Sequence, residues 1–168
     1  YTPTSTGESW KIPKIKPLIL KGANPNIANA NGDYALILAA GQHWPDLVIF
    51  LLSNGANPDV QNRRGNTALL ETINHTIGLP GYSERKKQII ETLLGYNANP
   101  NLRDNDGNSP LSAAIGADKP DLVKLLLDYG ANPFETNLAG LSDRALGLQS
   151  QNAEIRKLLQ PYEKQRLP

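Results

Sequence analysis

The sequence contains no cysteine and no methionine among its 168 residues. Without thiols the chain cannot use disulfide bonds, thiol catalysis or cysteine-ligated zinc. Because translation starts at methionine, we expect these residues to be a trimmed, processed or excised part of a longer protein. A targeting signal that preceded them would therefore not be visible in the sequence.

An excess of charge of one sign is also lacking, since 17 basic and 16 acidic residues give a formal net charge of +1. Such a balance creates no strong field for nucleic acid, which is therefore not an expected partner. The longest apolar runs are "ALILAA" at 35–40 and "LVIFLL" at 47–52. Both are far shorter than the roughly 20 residues of a transmembrane helix, so we expect no membrane-spanning segment.

What the sequence does contain is a repeat. The tetrad "ANPN" at 23–26 returns as "ANPD", "ANPN" and "ANPF" at intervals of 33, 42 and 33 residues. A period of this length is typical of a solenoid protein. A glycine follows every tetrad at the same offset, at Gly32, Gly65, Gly107 and Gly140. The connector after each tetrad therefore has a fixed length, and the 42-residue interval carries its nine extra residues elsewhere.

Two short helices are predicted in each period. Segments such as "NTALLETI" and "NSPLSAAI" follow the glycines, and their Thr or Ser hydroxyl is a helix cap, with Pro or Ala at the first helical position. The segments "PDLVIFLLSNG" and "PDLVKLLLDYG" begin with Pro-Asp and end with glycine, the usual start and stop signals. Their Leu and Val residues recur every three or four positions, which places one apolar stripe against a neighbouring layer.

These helix openings, the "LVxxLLxxGANP" second helices and the 33-residue period resemble the ankyrin repeat family over about residues 15 to 160. The resemblance implies an all-α solenoid of about four helix-pair repeats plus an N-terminal half repeat, with a short β-hairpin loop after each pair. We expect a polar leader or tether at 1–14, the repeat domain at 15–162 and a tail at 163–168. Within the domain, the second full repeat has its nine-residue insertion near 75–83.

Both ends of this array are expected to be caps. The N-terminal half repeat has only a shortened second helix, and Pro17 is expected near the start of that helix. In the last repeat Arg144 stands where the family has leucine, which suits a terminal cap. The turns and the proline-rich caps are similar to those of bacterial ankyrin proteins.

Residues for catalysis are few. His43 and His75 lie one repeat apart, and a surface or partner-contact role is favoured for them over a shared catalytic site. The segment "DNDGN" at 104–108 is similar to part of a calcium loop, but aligned on Gly107 it lacks the first and the last ligand of that loop. Phosphate-loop, dinucleotide and hydrolase motifs do not occur. We predict that the chain is not an enzyme and that it holds no metal and no cofactor.

The resemblance implies that another protein binds to the hairpin tips and to the concave face of the first helices. Trp44 either covers the neighbouring repeat or anchors a partner. The insertion is either part of the binding face or a change without function, which is tolerated because long loops cost little entropy. The predicted partner-binding residues are Asn31, Asp33, Gln42, Trp44, Arg63, Arg64, Asn66, Asn74, His75, Leu79, Tyr82, Asn105, Asp106 and Asn108.

The predicted function is that of a non-catalytic protein-binding module, present as a monomer or in a heterocomplex. Two roles stay open. The resemblance to small exported bacterial ankyrin proteins implies a dedicated inhibitor or immunity protein of a toxin or lipase. The alternative is a targeting or adaptor module excised from a larger effector or enzyme. The Thr- and Ser-rich leader favours a periplasmic or membrane-tethered location over a cytoplasmic one.

Overall fold

The computed structural model describes residues 12–75 and 82–162. These ranges contain nine helices: α1 (Ile12–Leu20), α2 (Ala35–Gly41), α3 (Pro45–Ser53), α4 (Ala68–Asn74), α5 (Tyr82–Gly95), α6 (Pro110–Gly116), α7 (Pro120–Asp128), α8 (Asp143–Leu148) and α9 (Ala153–Leu159). The single helix α1 is followed by four helix pairs, which confirms the predicted half repeat and four repeats. In the described part of the chain, no helix is both long enough and apolar enough to span a bilayer.

Hydroxyl caps begin three of the four first helices. The side-chain oxygens of Thr67, Ser109 and Ser142 accept hydrogen bonds from backbone amides in the first turns of α4, α6 and α8. Each of these bonds satisfies an amide that has no partner within the helix. Tyr34 occupies the same position before α2, and its side chain makes no cap hydrogen bond. The helix α2 therefore begins without the cap that the other first helices have.

The helices stack in two layers. The first helices form a continuous row in which α2 contacts α4, α4 contacts α6 and α6 contacts α8, while α3 contacts α5 and α7 contacts α9 in the second layer. Leu36, Leu69 and Leu111 occupy the same position in successive repeats, and all three are fully buried. Burial of each is worth about 1.5–3 kcal/mol. The core therefore runs through the whole array and does not close within one repeat.

The prediction for Pro17 is wrong. The helix α1 begins at Ile12, and Pro17 lies inside it. Proline removes only one helical hydrogen bond, and the amides of Lys21 and Gly22 still bond to the carbonyls of Pro17 and Ile19. A nine-residue helix therefore continues through the proline.

The residue before each tetrad ends the second helix in the left-handed region of φ. Gly22, Gly55 and Gly130 have φ of 92°, 84° and 85°, and Asn97 has φ of 61° at the equivalent position. Asparagine adopts this conformation more readily than other side chains do. This tolerance explains how Asn97 replaces the glycine of the other repeats.

The last residue of the tetrad bridges neighbouring repeats. Oδ1 of Asn26 accepts the amide of Asn57 at 2.7 Å, and Nδ2 of Asn26 donates to the carbonyl of Gly55 at 2.9 Å. Asn101 makes the same pair of bonds to the repeat that follows it. Asp59 accepts the amide of Asn99. In the fourth tetrad Phe134 takes this position, so the series of bridges ends there.

Candidate interaction surface

Four short turns lie between the repeats where the hairpins were predicted. We call them tip turns 1 to 4, at residues 29–33, 62–66, 104–108 and 137–141. In each one the amide of the first residue donates to the carbonyl of the fifth. Within the described residues the only β-bridge joins Thr136 and Ser142, so the predicted hairpins are reduced to these turns.

The first side chain of each tip turn fixes its backbone. Oδ1 of Asn29 accepts the amides of Asn31 and Asp33, each at 2.9 Å. Asn62, Asp104 and Asn137 make the same two bonds within their own turns. Sequence reasoning missed these four residues. Their signal was an Asn or Asp three positions before each tip glycine, which is a known turn-forming pattern.

Hydrogen bonds also join the tip turns to one another. Nη2 of Arg63 donates to the carbonyl of Ala30 at 2.8 Å, which links tip turns 1 and 2. The amide of Asn105 donates to the carbonyl of Arg64 at 3.0 Å, and Nδ2 of Asn105 donates to the carbonyl of Arg63 at 2.8 Å. Tip turns 1 to 3 therefore form one laterally bonded row.

Most of the predicted partner-binding residues are exposed along this row or at the ends of first helices. The exposed ones are Asn31, Gln42, Arg63, Arg64, Asn74, His75, Asn105, Asp106 and Asn108, while Asp33 and Trp44 are half-buried. Trp44 packs against the core. Leu79 lies outside the described residues, as does the side chain of Tyr82. Asn66 needs a correction, because it is only 8% exposed and its Nδ2 donates to Oε2 of Glu71 at 2.8 Å.

Glu71 of α4 is the buried carboxylate that holds Asn66 inward. Its carboxylate also lies 3.3 Å from Nε2 of His75 and 3.8 Å from Nη2 of Arg64. A buried carboxylate requires such partners because its desolvation is costly. One acid thus brings together three predicted residues from tip turn 2 and the end of α4. Sequence reasoning missed Glu71, although it is the only acidic residue of α4.

Lys86 of α5 lies against the C-terminal end of α4. Its Nζ donates to the carbonyl of Ile73 at 2.7 Å and to that of His75 at 3.3 Å. Carbonyls at a helix end lack partners within the helix, and a cation is favoured there. Burial lowers the pKa of Lys86, and the charge of Lys119 lowers it further. The helix α5 has 14 residues, whereas the second helices α3 and α7 have nine each. The additional residues at the N-terminus of α5 place Lys86 at the C-terminal end of α4.

His43 is not at the surface, contrary to the prediction. It is 2% exposed, its backbone has φ of 56°, and its Nδ1 lies 3.0 Å from the carbonyl of Gly41. Burial lowers the pKa of His43, and the nearby charges of Lys86 and His75 act in the same direction. Among the residues that the structure describes, no cluster of three or more His, Cys, Asp or Glu side chains is suited to hold a metal ion.

A second buried carboxylate joins the last two repeats. Asp143 is fully buried and accepts hydrogen bonds from Oγ of Ser109 and, at 3.3 Å, from Nη2 of Arg103. Burial raises the pKa of Asp143, while the bonds from Ser109 and Arg103 oppose that rise. Asp143 stands at the position that Pro110 has in the preceding repeat. The network lies inside the array, so its role is to fix one repeat against the next.

These features agree with the comparison to known families. A sequence model of three consecutive ankyrin repeats matches residues 10–77 and again residues 82–164. No curated protein sequence matches the chain. Ankyrin repeats are generally protein–protein interaction modules. The two matched ranges cover most of the sequence, and the chain therefore belongs to the ankyrin repeat family.

Proposed function

We propose that this chain binds another protein through a concave surface made of tip turns 1 to 3 and the ends of the first helices. The laterally bonded row of tips carries the proposal. Its backbone is fixed by Asn29, Asn62 and Asp104 from within, and by Arg63 and Asn105 between turns. A surface that is already ordered loses little conformational entropy when a partner binds.

The centre of this surface combines charge with an apolar contact. Arg64 is 74% exposed and His75 is 45% exposed, although both lie beside the buried Glu71. In the preceding repeat Leu38 occupies the position of Glu71, and Leu38, unlike Glu71, is exposed. Arginine is enriched among residues that dominate binding energy. We infer that Arg64 is the main anchor and that Leu38 supplies apolar contact beside it.

We further propose that the partner is a bacterial toxin or lipase, which the chain inhibits in an exported, periplasmic or membrane-tethered location. This role is supported by the similarity of the repeated turns to those of small exported bacterial ankyrin proteins. Purification of the partner from the native source, followed by measurement of its turnover with and without the chain, tests the role. Lost turnover at equimolar chain supports inhibition, whereas unchanged turnover in a stable complex favours the adaptor role.

The binding surface is tested by Arg64→Ala. We expect partner affinity to fall about tenfold or more, since an anchor residue is worth more than about 1 kcal/mol. The loss of stability should stay near about 1 kcal/mol, because Arg64 is 74% exposed and the buried Glu71 keeps its hydrogen bond from Asn66 and its contact with His75. Lys124→Ala is the matched control, because Lys124 is an exposed cation on the second helix α7. Equal losses of affinity for the two variants would contradict the proposed surface.

The insertion loop is included in the proposed surface on sequence grounds alone. Deletion of residues 78–82 is expected to weaken partner binding and to leave the thermal midpoint nearly unchanged. A large loss of stability with retained affinity would assign the loop to folding.

A further inference from the structure

We propose that the outer side of tip turn 4 is a second docking site, which takes an extended segment of a partner protein through its backbone and one carboxylate side chain. The site lies at the C-terminal end of the row of tips. It does not depend on the concave surface proposed above. The site is inferred from the three junctions that precede it, a junction being the contact between one tip turn and the next.

Each internal junction covers the tip glycine of the earlier turn. A Cβ atom built on Gly32, Gly65 or Gly107 would lie 2.6–2.9 Å from an atom of the next tip turn. At Gly65 and Gly107 the nearest of these atoms is a backbone nitrogen. Gly140 has φ of 75°, against 76° for Gly65, but a Cβ atom there would have no described residue within 4 Å. Tip turn 4 thus has the same backbone surface, which residues 12–75 and 82–162 leave uncovered.

A side-chain donor accompanies each of the last two junctions. Nε2 of Gln61 donates to the carbonyl of Arg103 at 2.9 Å, and Nη2 of Arg103 donates to the carbonyl of Glu135 at 2.9 Å. Thr136 follows Arg103 by one 33-residue period and so occupies the equivalent position. Thr136 is exposed, and its hydroxyl can donate to one further backbone carbonyl.

A cavity of about 220 Å³ lies against this side of tip turn 4. Its lining includes Phe134, Thr136, Gly140, Leu141, Ser142 and Arg144. Arg144 stands where the earlier repeats have Leu36, Leu69 and Leu111, and its Nε is buried without a hydrogen-bond partner among the described residues. A buried donor without a partner is destabilising, because it has given up its hydrogen bonds to water.

The lining of the cavity indicates the chemistry of the segment that fills it. A guanidinium pairs best with a carboxylate, often through two parallel hydrogen bonds. Leu141, which is 40% exposed and lines the cavity, offers apolar contact beside the charged group. The occupant is therefore an extended backbone with an acidic side chain flanked by apolar ones. A second copy of the chain fits less well. If the first tip turn of one copy stacked on tip turn 4 of another, the same contact would repeat from copy to copy and produce filaments.

The test uses the ¹⁵N-labelled chain and two blocked pentapeptides, Val-Thr-Asp-Thr-Val and Val-Thr-Asn-Thr-Val. We expect the aspartate peptide to shift the amide signals of Gly140 and Leu141 and the Nε–H signal of Arg144, with a dissociation constant in the millimolar range. The asparagine peptide should bind at least tenfold more weakly. Equal binding of the two peptides, or shifts centred on Arg63 and Arg64, would overturn the proposal.

Two variants locate the site. Arg144→Leu removes the charge and restores the apolar residue of the earlier repeats, so it should abolish peptide binding while the thermal midpoint is unchanged or higher. Gly140→Asn fills the open side with a residue that tolerates the left-handed backbone, as Asn97 does at φ of 61°. Retention of peptide binding by both variants refutes the site.

Other occupants give different results. Removal of residues 163–168 should leave peptide affinity unchanged, and a tenfold gain would assign the site to the chain's own tail. Self-association of the unaltered chain in sedimentation, lost in Arg144→Leu, would assign it to a second copy. Either result overturns the proposal. Arg64→Ala should bind the peptide normally, so failure of the concave surface and failure of this site can be told apart.

Discussion

Gly65 and Gly140 form a natural matched pair, because they occupy equivalent positions with φ of 76° and 75°. Alanine in the left-handed region costs roughly 1–2 kcal/mol at either position. At Gly65 the new Cβ would also lie 2.7 Å from the backbone nitrogen of Asn105 and 2.9 Å from Cα of Asp104. Backbone atoms cannot move aside as side chains do, so overpacking adds about 1–3 kcal/mol. We expect Gly65→Ala to cost about 2–5 kcal/mol and Gly140→Ala only the backbone term.

Urea unfolding followed by the helical circular dichroism signal measures this difference. For a chain of this length, the additional 1–3 kcal/mol at Gly65 corresponds to a thermal midpoint roughly 2–12 °C lower than that of Gly140→Ala. Gly55→Ala is an internal control, since Gly55 also has positive φ and a Cβ atom there would have no neighbour within 4 Å in the described part of the chain. If Gly65→Ala and Gly140→Ala cost the same, the tip turns do not stack in solution, and the lateral row is refuted.

Three further predictions concern the contacts between repeats and the buried ionisable groups. Asn101→Ala removes the bridge between the last two tetrads and should cost about 1–3 kcal/mol in urea unfolding, since it loses two hydrogen bonds. Because burial raises the pKa of Asp143 in the folded chain, the stability of the unaltered chain relative to Asp143→Asn should fall as the pH rises through that pKa. Unfolding at pH 3.5, 5 and 6.5 measures this difference, and a rise with pH would contradict it. Burial lowers the pKa of His43 in the folded chain, so the unaltered chain should lose stability as the pH falls below 6.5, the pKa of the histidine in the unfolded chain. The variant His43→Asn keeps a residue that tolerates the left-handed backbone. Its thermal midpoint should therefore fall less between about pH 7.5 and pH 5.5 than that of the unaltered chain.

The repeat predicted the helix pairs well because the connector between them has a fixed length. Gly32, Gly65, Gly107 and Gly140 all have positive φ, so their identity follows from a local backbone requirement. Such a requirement is visible in any one repeat and is confirmed by the next. The order of the helices could therefore be predicted from the spacing, whereas the loops between the helix pairs were implied by the resemblance to the ankyrin repeat family.

Exposure within the tip turns could not be predicted in the same way. Asp33, Asn66 and Asn108 occupy equivalent positions, and only Asn66 is buried. Its burial depends on Glu71, which has a carboxylate where the preceding repeat has Leu38. Sequence position thus gives the register of a residue, whereas its burial depends on the side chains of the neighbouring repeat.

The buried carboxylates show the same limit over a longer distance. Arg64 and Glu71 are seven residues apart within one repeat, and a sequence pattern is able to suggest such a pair. Arg103 and Asp143 are 40 residues apart in different repeats. Their contact depends on how one repeat stacks on the next, which no local pattern encodes. The position of Asp143, where proline stands in the preceding repeat, was the only visible signal.

The C-terminal end of the array, which the sequence predicted to be a cap, also keeps features of a junction. A cap that only ends a solenoid requires a polar outer face. Phe134 replaces the Asn or Asp that bridges the earlier tetrads, and Arg144 replaces the buried leucine of the earlier first helices. Both substitutions remove contacts that would join a further repeat. Gly140, however, keeps the stacking geometry, and Leu141 is exposed beside it. An end that retains the geometry of a junction and changes its chemistry from leucine to arginine is suited to the acidic segment proposed above as well as to ending the stack.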